Sequence, residues 1–172
     1  MSLRAVLMGV AGCGKSSVGE ALALRLDVPY RDGDDLHPVA NVEKMRAGIA
    51  LGDADRWPWL DLVGAALAVD APLIIGCSAL RRRYRDRIRQ AATGPVVFIH
   101  LAGSRAVIEA RMAARKGHFM PVSLLDSQFA ALEPPEPDEA ALIVDIDQPL
   151  EAIVAAIAAD LPRFGVVAFC PT

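Results

Sequence analysis

Residues Gly9-Val10-Ala11-Gly12-Cys13-Gly14-Lys15-Ser16 carry the spacing G-x-x-x-x-G-K-[ST] of a phosphate-binding loop. Chemistry explains each residue type. Glycines let successive backbone N–H groups turn inward around phosphate oxygens, and the helix that opens behind them adds its positive dipole end. Gly9, Ala11, Gly12, Cys13, Gly14, Lys15, Ser16 and Ser17 are therefore the candidate nucleotide-binding residues. Lys15 supplies a point charge toward the β- and γ-phosphates, and the Ser16 hydroxyl is a candidate Mg²⁺ ligand. A dinucleotide fingerprint does not fit, because Lys15, Ser16 and Ser17 follow Gly12-Cys13-Gly14 where a third glycine is needed. The expected ligand is a nucleoside triphosphate.

The acids narrow the class of phosphate-loop protein. The apolar run at Leu73 ends in Gly76-Cys77-Ser78 with no aspartate for a metal, and no Asn-Lys-x-Asp guanine-reading sequence occurs. Acids stand instead after a second strand, as Asp32, Asp34 and Asp35. Strand C-termini of a parallel sheet gather on one edge, where the phosphate loop also lies. Two apart in extended chain, Asp32 and Asp34 both point to that edge, one for a metal's water shell and one for a substrate hydroxyl. A merely solvated aspartate turn is the bland alternative. Farther on, Arg111 and Arg115 lie four apart and share a helix face. The break at Gly117 makes about 116–123 a candidate lid, against the plainer reading of a charged helix end.

The elements that must position these groups alternate. Short apolar runs at 5–8, 73–75, 96–99 and 142–144, with a weaker one at 28–31, read as buried strands. Periodic segments read as helices from Lys15, over 38–47, 59–69, 81–92, from Ser104 to about 115, around 125–132, and over 150–161. Residues 49–55 read as loop. Strands alternating with helices predict an α/β fold, a parallel sheet covered on both faces, in a single domain over 1–172.

Composition bounds the function. With 53% hydrophobic and 23% charged residues, the 172-residue chain can bury a full core without disulfides or structural metals. No apolar run nears the roughly 20 residues of a membrane span, so no membrane partner is expected. The stretch from Arg4 to Ala11 is broken by glycine and followed by Lys15, and reads as a strand rather than a secretion signal. Three scattered cysteines suit a reducing cytoplasm. The run Arg81 to Arg89 spreads its arginines around a helix in a chain of net charge −3, so it reads as mostly solvated, and no nucleic-acid partner is expected.

Longer motifs carry a resemblance. Asp32-Gly33-Asp34-Asp35-Leu36-His37-Pro38, Asn41, Glu43-Lys44-Met45 and Gly48 resemble the gluconokinase family. So do Asp53 to Leu60, Cys77 to Arg81 with Tyr84-Arg85-Asp86, Arg115 to Met120, Leu124 to Gln128, Leu132-Glu133 and Val144 to Pro149. The resemblance implies the three-layer kinase fold shared with shikimate and nucleoside monophosphate kinases, with a five-stranded sheet of order 2-3-1-4-5 and a lid. It implies ATP and Mg²⁺ as cofactors, D-gluconate as the substrate and transfer to its C6 hydroxyl. Asp34 would take the proton and Asp32 hold Mg²⁺, with the reverse left open. His37, Lys44, Arg56, Arg81 and Gln128 would meet the sugar acid. Arg111 would cover the adenine, Arg115 reach the transferring phosphate and His118 enter the closed site. It also suggests a homodimer, to which the apolar tail 164–169 is suited. Arg81 departs from a common lysine, Cys13 from a common serine, and the tail has no counterpart. The rivals are a kinase of another polyol acid and a non-catalytic nucleotide-binding module.

Overall fold

A computed structural model of the chain describes residues 2–115 and 122–166. The segment 116–121, which holds His118 and most of the expected lid, and the tail beyond Val166 lie outside the described residues.

In chain order the elements are β1 (Arg4–Met8), α1 (Lys15–Leu26), β2 (Tyr30–Asp32), a 3₁₀ turn (Gly33–Leu36), α2 (Val39–Arg46) and α3 (Asp53–Val69). Then follow β3 (Leu73–Gly76), α4 (Arg82–Ala92), β4 (Val97–Ala102), α5 (Arg105–Ala114), α6 (Val122–Ala131), β5 (Ala141–Asp145) and α7 (Leu150–Asp160). The five strands form one sheet in the order β2-β3-β1-β4-β5, as the resemblance implies. Every pairing is parallel, with Val6 opposite Ile75 on one side and Phe98 on the other.

Because side chains alternate along a strand, each central strand feeds two cores. Ala5 and Leu7 of β1 pack with Val18 and Leu22 of α1 and Ile153 and Ile157 of α7. Val6 and Met8 pack on the opposite face with Leu60, Val63 and Leu67 of α3 and Ile88 of α4. Leu7 and Met8 have no exposure at all, and truncating either to Ala should cost about 2–5 kcal/mol. Where α3 crosses α4 only glycine fits, since a Cβ on Gly64 would stand 2.7 Å from the Ile88 carbonyl oxygen.

Three expectations need correction. First, α3 begins at Asp53 and runs through Pro58, although 49–55 reads as loop and Trp59 as the start. Asp55 accepts from the Gly52 N–H at 3.0 Å and so closes the first turn, while the Trp59 indole donates to Gly33 O at 2.8 Å. These ties outweigh the one backbone bond Pro58 cannot make. Second, the α4 arginines, though Arg82, Arg83 and Arg87 stay partly exposed, are paired with acids rather than simply solvated. Arg85 is fully buried and bidentate to Glu139, with both contacts at 2.7 Å, and Arg82 binds Asp138 and Glu136. Arg83 pairs with Asp53, Arg87 with Asp61, and Arg89 with Asp86 and Glu139. Third, Arg115 leaves the face of Arg111. It lies one residue past the end of α5, with φ −80° and ψ 112°.

Candidate active site

β1 delivers the phosphate loop to the C-terminal edge of the sheet. Gly14 precedes α1 with φ 97°, a left-handed conformation that glycine takes without strain. Two strap bonds hold the loop against the end of β3, Gly9 N to Ser78 O at 3.2 Å and Cys77 N to Leu7 O at 3.0 Å. The Lys15 ammonium donates to Gly9 O at 3.1 Å and Val10 O at 3.2 Å, with Cys13 Sγ at 3.8 Å. Ser16 and Ser17 are exposed at the mouth of α1. Cys13 and Cys77 are free and buried. Burial pushes the Cys77 thiol up to about 12, so this sulfur at the edge is no nucleophile at neutral pH.

Two side chains from later in the chain flank the loop. Gln128 of α6 accepts from Ala11 N at 2.5 Å. Expected along the sugar acid, its side-chain oxygen is tied here to the phosphate loop. Arg111 of α5 stands beside Gly14 and donates to the carbonyls of Ile146 and Gln148, in the turn after β5. It thus joins the loop to the far edge of the sheet.

The aspartates stand at the end of β2, and their arrangement differs from the extended one expected. Asp32 caps the 3₁₀ turn, its Oδ1 accepting from Asp34 N at 2.9 Å. A short acidic side chain competing for a nearby N–H turns the chain here. Asp34 is left with 81% of its side chain exposed. Surrounding protein and the adjacent Asp32 carboxylate raise its pKa, while Lys15 lowers it and water screens the change. Asp35 is exposed.

His37 closes this side. Its Nε2 lies 3.9 Å from Asp34 Oδ1, and its ring stacks on Trp59 at 4.0 Å with planes 17° apart. Burial, and secondarily the Arg56 charge, lower its pKa, so it is neutral at pH 7. Arg56 lies over the Tyr84 ring at 5.5 Å and donates to Leu51 O. Lys44 is engaged by Asp55 at 2.7 Å, and Arg81 faces Glu133 at 3.9 Å. His37 and Arg56 are thus brought to the aspartate side, while Lys44 and Arg81 are each shared with an acid. Three contributors had no sequence role beyond the motif or the helix start: Asn41, which donates to Asp55 O and meets His37; Asp55; and Trp59.

No family profile matches the chain. It is 48% identical over 155 residues to the thermoresistant gluconokinase of Escherichia coli K12, covering 87% of this chain and 88% of that one. The chain belongs to the gluconokinase family. A crystal structure of a gluconokinase from Sinorhizobium meliloti 1021 superposes with a TM-score of 0.88 at 48% identity, over 95% of this chain and 93% of that one. Shikimate kinase from Aquifex aeolicus shares the fold, with a TM-score of 0.61 at 20% identity over 95% of this chain and 98% of that one. Within the gluconokinase family frame, the candidate site is a phosphate loop and an aspartate turn on one edge of a five-stranded sheet.

Proposed function

We propose that this chain phosphorylates D-gluconate on its C6 hydroxyl with ATP, giving 6-phospho-D-gluconate and ADP. The observation that carries the reading is the exposed Asp34 carboxylate on the edge that presents the phosphate loop. The aspartate strand and the loop strand are two positions apart, roughly 10 Å at the usual strand spacing. That gap suits a linear sugar acid lying between carboxylate and nucleotide.

Phosphoryl transfer depends on alignment and charge neutralisation more than on covalent help. Asp34 accepts the proton of the C6 hydroxyl as its oxygen attacks the γ-phosphorus, and the β–γ bridging oxygen leaves with ADP. A raised pKa improves Asp34 as a proton acceptor. Lys15 turns from the loop carbonyls to the β- and γ-phosphates. Arg111 covers the base, and Arg115 neutralises charge on the transferring group. His37 and Arg56, with Lys44 and Arg81, meet the hydroxyls and carboxylate of the acid, and His118 joins them. Gln128 serves the phosphate loop.

The donors present suit Mg²⁺. Among the described residues no three His, Cys, Asp or Glu groups cluster around a common point. A hydroxyl at Ser16 and a carboxylate at Asp32 are the sparse oxygen set this ion takes when phosphates and water complete its shell. When bound it would offset the charge of the β- and γ-phosphates. Asp32 is suited to the task because the Asp34 amide fixes its orientation. Among the described residues no helix is long and apolar enough to cross a membrane. Free thiols at Cys13 and Cys77 favour a cytoplasmic setting.

A coupled ADP-release assay over a panel of sugar acids and shikimate tests the reading, with ³¹P NMR to locate the ester. Turnover on gluconate with phosphate on C6 is expected. ATP binding with no acid-stimulated turnover would make the chain a nucleotide-binding module instead.

A further inference from the structure

Asn41 sits in α2 with 3% of its surface exposed. Its amide nitrogen lies 2.8 Å from Asp55 O and 3.2 Å from His37 Nδ1. A main-chain carbonyl only accepts, so the amide must present nitrogen, not oxygen, to Asp55. The second N–H of the same group is then directed at Nδ1, which can receive it only through a lone pair. The imidazole proton is left on Nε2, 3.9 Å from Asp34 Oδ1.

We infer that Asn41 is a positioning residue that fixes His37 as the neutral Nε2–H tautomer, presenting an N–H donor to Asp34 and the bound sugar acid. The role rests on the kinase reading above; the tautomer assignment does not. Moving the proton to Nδ1 would set an imidazole N–H against the Asn41 N–H, donor to donor, and turning the ring over would put the Cδ2–H there instead. Stacking on Trp59 resists tilting, and Trp59 is itself pinned to Gly33, the residue before Asp34. Asp55 closes the frame, since its carboxylate takes Lys44 and the Gly52 N–H while its carbonyl takes Asn41. A donor without charge can orient a substrate hydroxyl toward Asp34 without drawing on the carboxylate's own negative charge, as an imidazolium would.

Long-range ¹H–¹⁵N correlation spectra of the labelled full chain at pH 7 test this, with His37 signals assigned by their loss in His37→Gln. The expected result is a proton on Nε2 and a bare Nδ1. In Asn41→Asp an acceptor replaces the donor, so the proton moves to Nδ1 or the ring becomes cationic. KM for gluconate should rise about tenfold, the worth of one oriented hydrogen bond, while KM for ATP stays within about twofold. If Asn41→Asp does not fold, the wild-type spectrum still decides the tautomer. An Nδ1–H or cationic wild-type ring overturns the inference, as does an Asn41→Asp protein with unchanged tautomer or unchanged KM for gluconate. A chain showing the Nε2–H form but no turnover of gluconate would refute the kinase reading and leave the tautomer assignment in place.

Discussion

Gln128 Oε1 accepts the backbone N–H of Ala11 at 2.5 Å, across 117 residues of sequence. Helix α6 is thereby fastened to the phosphate loop. Replacing Gln128 by Leu removes the acceptor and should raise KM for ATP several-fold, with KM for gluconate unchanged. Steady-state kinetics with each substrate varied in turn check this, and the opposite split would return Gln128 to the sugar acid.

Asp34→Asn should lower kcat by about 10²–10⁴, the usual worth of a positioned general base, while nucleotide binding persists. Because the folded environment raises the Asp34 pKa, the sign of its pH effect is fixed. Activity needs the carboxylate, so it falls as pH drops through a value above the ordinary aspartate one. A kcat/KM profile measures that acid limb, and Asp34→Asn should lack it.

Arg115 is exposed past the end of α5, where its removal disturbs no core. Arg115→Ala should cost about 10²–10³ in kcat, the range seen when a single donor to transition-state charge is lost. Its melting temperature should match wild type within a degree or two. Near-normal turnover would remove Arg115 from the chemistry.

Glu139 gives a stability prediction. Hydrogen bonds from Arg85 hold its pKa down to about 2, against 4.5 for an unhindered glutamate. A carboxylate depressed on folding stabilises the protein above its unfolded pKa and ceases to do so as pH falls through the folded one. The contribution, up to about 3 kcal/mol, should therefore disappear between roughly pH 4.5 and 2. Thermal melts across that window should show the loss in wild type. Glu139→Gln should be destabilised by about 3–5 kcal/mol at pH 7, because Arg85 stays buried without its counter-charge.

Local signals were the legible ones. The phosphate loop needs only eight consecutive residues and its flanking strand and helix, so the sequence shows it whole. Strands β1, β3 and β4 are apolar on both faces, which marks them without reference to partners. The start of α3 was hidden because 49–55 reads as loop, whereas the ties that set it come from Gly33 and Tyr84, the latter donating to Asp53 at 2.6 Å. The aspartate turn was read as extended because a side-chain-to-backbone bond two residues long leaves no periodic trace. Gln128 and the α4 arginines depend on partners many tens of residues away, and no local pattern announces such pairings. Asn41 stood within a recognisable motif, yet its work becomes visible only when Asp55 and His37 are seen on either side of it.

The buried Arg85–Glu139 clasp has a mechanical corollary. Arg85 also donates to the carbonyls of Ala79, Leu80 and Glu133, so the end of β3, helix α4 and the approach to β5 form one braced frame. Helix α4 cannot part from the segment before β5 without stripping the guanidinium of its Glu139 and Glu133 acceptors. Any movement near the site must leave this brace intact, and with it the spacing between the end of β3 and the approach to β5.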